Sequence, residues 1–297
     1  MSVVRTLLSG FELVFRAERE SDSLLHTVGF YVATGLTLLF ALYPFYVMLL
    51  TSLTSNAELY SQPPTVLPSS ITLAHYETVF GPGTFPLQTY FTNSLVVALA
   101  TAFVSLVIGV LGSYSFTRLE YPGRDLIRRG VIVVYMLAAI TLVVPLFQML
   151  VRFNLVNTRL SLLITYTVKT LPLTLYMLWN YFQSVPVEIE EAALMDGYSR
   201  LETILRVVVP VSLPVLIAAF LFAFKIAWNE YLFASIFLET QSKYTLPIGI
   251  ESLNSTFQNA WGEVMAASII TTLPIIVMFL YLEKYMVEGL TAGAVEG

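Results

Sequence analysis

Apolar residues run along this chain in six long blocks, roughly 26 to 50, 91 to 116, 130 to 151, 160 to 182, 210 to 234 and 264 to 285. Each block is long enough to cross a hydrocarbon core that takes about 20 helical residues. The pattern predicts an all-α polytopic membrane protein with six transmembrane helices. Composition agrees: 57% of the 297 residues are hydrophobic and only 12% charged, against about 25% charged in soluble domains. The tail before Leu24 carries acids and no small-residue cleavage site follows the first block, so that block reads as a retained span rather than a removed signal peptide.

Charge then orients the spans, because Lys and Arg accumulate in cytoplasmic loops. Arg5, Arg16 and Arg19 precede the first span; Arg118, Arg124, Arg128 and Arg129 follow the second; Arg200 and Arg206 lie between the fourth and fifth; Lys284 ends the sixth. The alternate loops hold only Arg152, Arg159 and Lys243, and the segment from Ser52 to Tyr90 has no Lys or Arg. Both termini are therefore expected inside, in a prokaryotic cell membrane. The expected organisation is a cytoplasmic segment 1–25, then a permease domain 26–297 with an outer loop 52–90, an inner loop 184–209 and a cytoplasmic tail 286–297.

The outer loop is rich in Pro, Ser and Thr, with QPPTVLPSS and GPGTFP, and a short helix is expected near Ala74 to Phe80. A connector this long suits a surface for an extracytoplasmic partner. A second outer loop, Glu239 to Glu263, carries Trp261 and several amides and suits the same partner. Small residues and prolines within the blocks, among them Gly109, Gly112, Pro145, Pro172 and Pro274, fit close helix packing and local kinks.

The inner loop breaks the membrane pattern most sharply. Pro186 suits a first helical position, and Glu188, Glu190 and Glu191 fall in opening turns, where acids complement the helix dipole. Gly197 offers a left-handed helix stop, and Ser199 with Glu202 three residues later makes a capping box for the next helix. The loop is predicted as helix, Gly hinge, helix. Its first helix, about ten residues, is too short to be stable alone in water, which implies a partner. Ile189, Ala192, Ala193 and Leu194 give it an apolar surface flanked by acids, unlike the basic helices that lie on lipid.

Glu191-Ala192-Ala193, three residues, Gly197, nine residues, Val207, then Val209-Pro210 resembles the EAA signature of ABC importer permeases. Further segments resemble the carbohydrate branch of that family, in particular the second permease of maltose importers: FTNSLVVA, SYSFTRLEYPGR, NTRLSLLITY, WNEYLFA, KYTLPIGI and the terminal GLTAGAVEG, where Glu296 stands in place of the usual Lys. The resemblance implies a type I importer permease fold and a cytoplasmic loop that docks on an ATP-hydrolysing subunit. It also implies a complex with a second homologous permease, two ATP-binding subunits and an extracytoplasmic solute-binding protein. The implied coupling residues are Glu190, Glu191, Ala192, Ala193, Met195, Asp196, Gly197 and Pro210. The implied solute is a sugar, with a polyol or glycerol phosphate as the alternative within the family.

This chain contains no Gly-Lys dipeptide, so it lacks the phosphate-gripping loop and ATP with magnesium belongs to partner chains. It contains no Cys, which excludes disulfides and thiol chemistry. No nucleophile or metal motif occurs, and neither catalysis nor nucleic-acid binding is expected. His26 and His75 read as isolated, solvated or interfacial residues. Lys169 and Lys225 lie within spans, where a central charge costs about 2.5–3.5 kcal/mol, so each must face protein or water. Lys225 stands five residues before Glu230, one more than an ideal helical pair. Lys225, Trp228, Asn229 and Glu230 are candidate substrate-pathway residues, since an aromatic beside an amide and a carboxylate suits a sugar; Trp is equally an interfacial anchor, and in maltose-type relatives the sugar site can reside mainly in the other permease. An ATP-independent secondary transporter would call for an inverted repeat and intramembrane acids, which the sequence does not display.

Overall fold

The computed structural model describes residues 24–61, 68–81, 85–256 and 260–292. Nearly all of the expected N-terminal segment, parts of the outer loop and residues 293–297 of the tail lie outside them. The described residues are almost wholly helical. Helix α1 (Leu24–Leu53) contains Pro44 and supplies the first compact unit, which ends at Thr51.

The second unit begins at Ser52. Two short helices, α2 (Asn56–Leu59) and α3 (Ala74–Phe80), fold the outer loop, and α3 has the bounds the sequence predicts. There follow α4 (Leu87–Arg118), α5 (Arg124–Met136), α6 (Ala139–Arg152), α7 (Arg159–Ser184), α8 (Val187–Met195), α9 (Arg200–Val211), α10 (Leu213–Trp228), α11 (Leu232–Phe237), α12 (Leu246–Thr256) and α13 (Trp261–Ala292).

Among the described residues, four apolar helices are long enough to span unbroken: Thr27–Leu53, Leu87–Arg118, Arg159–Ser184 and Trp261–Lys284. The third block falls on a bent pair, α5 with α6 at 107°; α10 carries the fifth and meets α9, the end of the inner loop, at 86°, and six spans are counted when each bent pair is taken as one. The expectation of a straight third helix over 130–151 is thus corrected. Leu137 and Ala138 are extended, and the Ala138 carbonyl accepts from both the backbone N–H of Thr141 at 2.9 Å and its hydroxyl at 2.7 Å, so a new helix starts without a Gly or Pro.

Helices α4, α7 and α10 pack on one another and form the core, with α13 against α10 and α3. Small and polar residues hold α4 close to α7. Ser105 and Thr170 share a hydrogen bond of 2.7 Å, Ser113 donates to the Leu175 carbonyl at 3.0 Å, and a Cβ at Gly109 would collide with Thr174. This is the close approach that small residues permit in lipid, where no hydrophobic force drives helices together.

The loops collect at two ends. At one end Asn93 donates to the carbonyls of Ser242 and Tyr244 at 3.0 and 2.9 Å. There Asn157, at φ 59°, accepts from the N–H groups of Glu239 and Thr240 at 3.2 and 3.1 Å, while Lys243 donates to its carbonyl at 2.7 Å. His75 is a second correction: it is buried, with Nε2 2.8 Å from the Thr54 carbonyl and Nδ1 3.1 Å from Glu263. Its partner lies far along the chain, so the sequence could not show the pair. His26 lies outside the described side chains.

Candidate functional site

The inner loop is built at the opposite end, from the C-terminus of α7. Pro186 is the N-cap of α8 rather than its first helical residue. At the far end Gly197, at φ 92°, takes the left-handed conformation, donating to the Leu194 carbonyl at 3.1 Å while Tyr198 reaches back to Ala193 at 3.1 Å. These two bonds form a Schellman stop. The capping box then starts α9: Ser199 N–H donates to the Glu202 carboxylate at 2.9 Å and Glu202 N–H to the Ser199 hydroxyl at 3.4 Å. The Ser199 backbone bond, then its hydroxyl, hold the exposed Glu202 carboxyl below the usual carboxylate range.

Two inward contacts fix this helix pair to the bundle. Glu190 is buried and accepts from Arg118 Nε at 2.7 Å, while Arg118 Nη2 donates to the Val185 carbonyl at 2.7 Å. One guanidinium thus clamps the end of α7 and the start of α8 to the end of α4. Ala193 is also buried. Further on, a π-helical turn at Ile204–Val208 carries Ile204 and Val208 into a cluster with Val110, Tyr114, Leu178, Phe182 and Leu216. Pro210 follows the wide turn; it lacks the N–H that an α-helical bond needs, and the chain bends at Ser212 into α10.

The outward face is different. Glu191, Ala192, Asp196 and Gly197 are exposed, and Met195 is 88% exposed at the tip. Ile189, Leu194, Leu201 and Leu205 add exposed apolar surface around it. Of the sequence-predicted coupling residues, Glu190 and Ala193 therefore face this chain, while the rest are free to face another.

The second candidate group divides in the same way. Trp228 is buried, stacked on Phe224 with centroids 5.5 Å apart, and its Nε1–H donates to the Thr271 carbonyl at 3.0 Å. Glu230 is buried as well: one oxygen meets Lys169 Nζ at 3.1 Å, and the other accepts the N–H groups of Phe233 and Ala234 at 3.0 and 3.3 Å. Both residues hold α10 and α11 in place. Lys225 and Asn229 remain exposed. Sequence reasoning missed Asn157 and the partners of Arg118 and Lys169, all of them distant in the chain. No group of His, Cys, Asp and Glu among the described residues could hold a metal.

Comparison with known proteins matches residues 105–290 to the family described as the binding-protein-dependent transport system inner membrane component. The inner membrane ABC transporter permease protein YcjP of Escherichia coli is 45% identical over 92% of this chain and 98% of its own length. The sulfoquinovosyl glycerol transport system permease SmoH of Agrobacterium fabrum is 35% identical over 90% and 93%. The trehalose/maltose transport system permease MalG of Thermococcus litoralis is 34% identical over 86% and 92%. Among solved structures, a chain of a bacterial ABC transporter that imports the acidic polysaccharide alginate superposes with a TM-score of 0.77 at 22% identity, covering 89% of this chain and 99% of that one. This likeness fixes the fold.

Proposed function

The chain belongs to the family of binding-protein-dependent transport system inner membrane components, and we propose that it is one of two permease chains in an ATP-driven sugar importer. The permeases of trehalose/maltose, sulfoquinovosyl glycerol and diacetylchitobiose systems among its relatives support a sugar as the solute. The inner loop is the coupling element: its outward face, Glu191, Ala192, Met195 and Asp196 with the hinge Gly197, docks on an ATP-binding subunit on the cytoplasmic side. The observation that carries this is the exposed α8, closed by the Gly197 stop, with Met195 at its tip. A short helix with an apolar tip that none of the described residues covers is built for a socket.

Coupling follows from the anchors. ATP binding by the partner subunits favours one arrangement of the complex, and a ligand shifts an equilibrium only by its differential affinity for the two states. The Arg118 clamp and the Ile204–Val208 contacts make α8 and α9 move with α4, α7 and α10, so that preference reaches the spans. The outer loop 52–90 meets an extracytoplasmic solute-binding protein, the second permease completes the pathway, and the segments 1–25 and 286–297 lie in the cytoplasm.

Affinity purification from the native membrane in mild detergent tests this reading. An ATP-binding subunit is expected to copurify with the unaltered chain and to be lost with Gly197→Pro, whose ring fixes φ near −65° where the loop needs 92°. If the unaltered chain purifies without any ATPase, the coupling assignment fails.

A further inference from the structure

Lys225 carries a charge at membrane depth that the described residues leave unanswered. Its ammonium has no ion-pair or hydrogen-bond partner among the described residues, because the one nearby carboxylate in sequence, Glu230, is fully engaged with Lys169 and two backbone N–H groups. Lys169, Lys225 and Glu230 together hold one net positive charge, and the side that reaches the surface is the cationic one: the Lys225 side chain is exposed, whereas Glu230 is buried. An exposed cation in a span cannot face lipid tails. No counter-charge for it lies among the described residues.

The surroundings of Lys225 narrow the class of that counter-charge. It lines a groove of about 300 Å³ between α10 and α13 with Phe222, Phe224, Phe279, Ile275 and Met278, a size at the lower end of small-molecule sites. One turn further on, Asn229 donates its amide N–H to the Lys225 carbonyl at 3.0 Å, which leaves its side-chain oxygen as an exposed acceptor. The exposed Phe222 and Phe279 rings and the Lys225 ammonium line the groove, with the Asn229 amide one turn beyond it, and these groups match a sugar ring, an anionic substituent and a hydroxyl. An anionic lipid fits less well: Ile275 is near the middle of the span Trp261–Lys284, and a headgroup charge stays about 15 Å from the midplane, half the core thickness.

We propose that Lys225 and Asn229 form a solute subsite in the translocation pathway, and that the solute is a sugar carrying an acidic substituent, a carboxylate, sulfonate or phosphate. The inference rests on the sugar-importer reading and sharpens its substrate class.

The test is depletion of a mixture of neutral, uronate-containing, sulfonated and phosphorylated sugars, from mono- to oligosaccharides, by cells of the source organism with and without the chain, followed by mass spectrometry of the medium. Acidic species are expected to be depleted only when the chain is present. Lys225→Met should slow this at least tenfold while the second permease and the ATP-binding subunit still copurify, and Lys225→Arg should keep it. Depletion of neutral species alone, or acidic depletion unchanged by Lys225→Met, overturns the inference and spares the sugar-importer reading. Loss of the second permease from the Lys225→Met complex would also overturn it, because Lys225 would then belong to a permease-permease contact. If no sugar is depleted, the sugar-importer reading falls with it.

Discussion

Arg118 shows how much a single side chain decides here. Its guanidinium meets Glu190 and the Val185 carbonyl, and both charged side chains are nearly buried. Removing one member of a buried ion pair leaves the other uncompensated, at a cost of about 3–5 kcal/mol. Arg118→Met should therefore lower the thermal midpoint of the purified complex and uncouple ATP hydrolysis from uptake. The double change Arg118→Met with Glu190→Gln should recover part of the loss, and equal midpoints for the single and double variants would remove the pair from the argument. Sequence alone could name Glu190 but could not pair it, because the partners stand 72 residues apart. The same holds for Glu230, which local spacing offers to Lys225 and the fold gives to Lys169, 61 residues away. Side-chain types mark where charge is costly; only packing reveals which charges meet.

At the scale of elements, local chemistry was far more legible. The α3 bounds, the Gly197 stop and the Ser199 capping box all follow from residues within a few positions of one another, where propensity and caps act. Ser199→Ala should destabilise the start of α9 by about 1 kcal/mol, seen as faster amide exchange over Arg200–Thr203 with the core helices unchanged. The box is also pH-sensitive. Because the folded state holds the Glu202 carboxyl below its ordinary range, its contribution is present above the unfolded pKa and is lost as pH falls through the lower folded value. Exchange at these amides, corrected for intrinsic rates, should rise only in that acidic window and show no such rise in Glu202→Gln. The bends at Leu137 and Ser212 were not legible. The first has no breaker residue; the second lies between Pro210 and Pro214, which mark a break without giving its angle.

For the whole molecule, the pattern of basic residues and the two clusters of loops make one argument. Contacts gather Asn93, Asn157, Ser242 and Lys243 at one end, with His75, Thr54 and Glu263 joined to one another in the outer loops; Arg118, Val185 and Glu190 meet at the other. The proposed inner end is the one whose loops carry Arg118, Arg124, Arg128, Arg129, Arg200 and Arg206, as lysine and arginine bias requires. Pairing alone says which loops share an end, and charge alone says which end faces the cytoplasm; neither is sufficient without the other. Because the chain contains no Cys, every introduced thiol is its sole thiol, and the orientation is open to direct measurement. Glu77→Cys, exposed on α3, should react with a membrane-impermeant maleimide added to intact cells or spheroplasts. Met195→Cys, at the exposed tip of α8, should react only after the membrane is opened, and then more slowly when the ATP-binding subunit is bound than when it has been stripped away. Labelling of both positions from the same face would refute the topology, and labelling of Met195→Cys that ignores the ATP-binding subunit would remove the tip of α8 from the coupling surface.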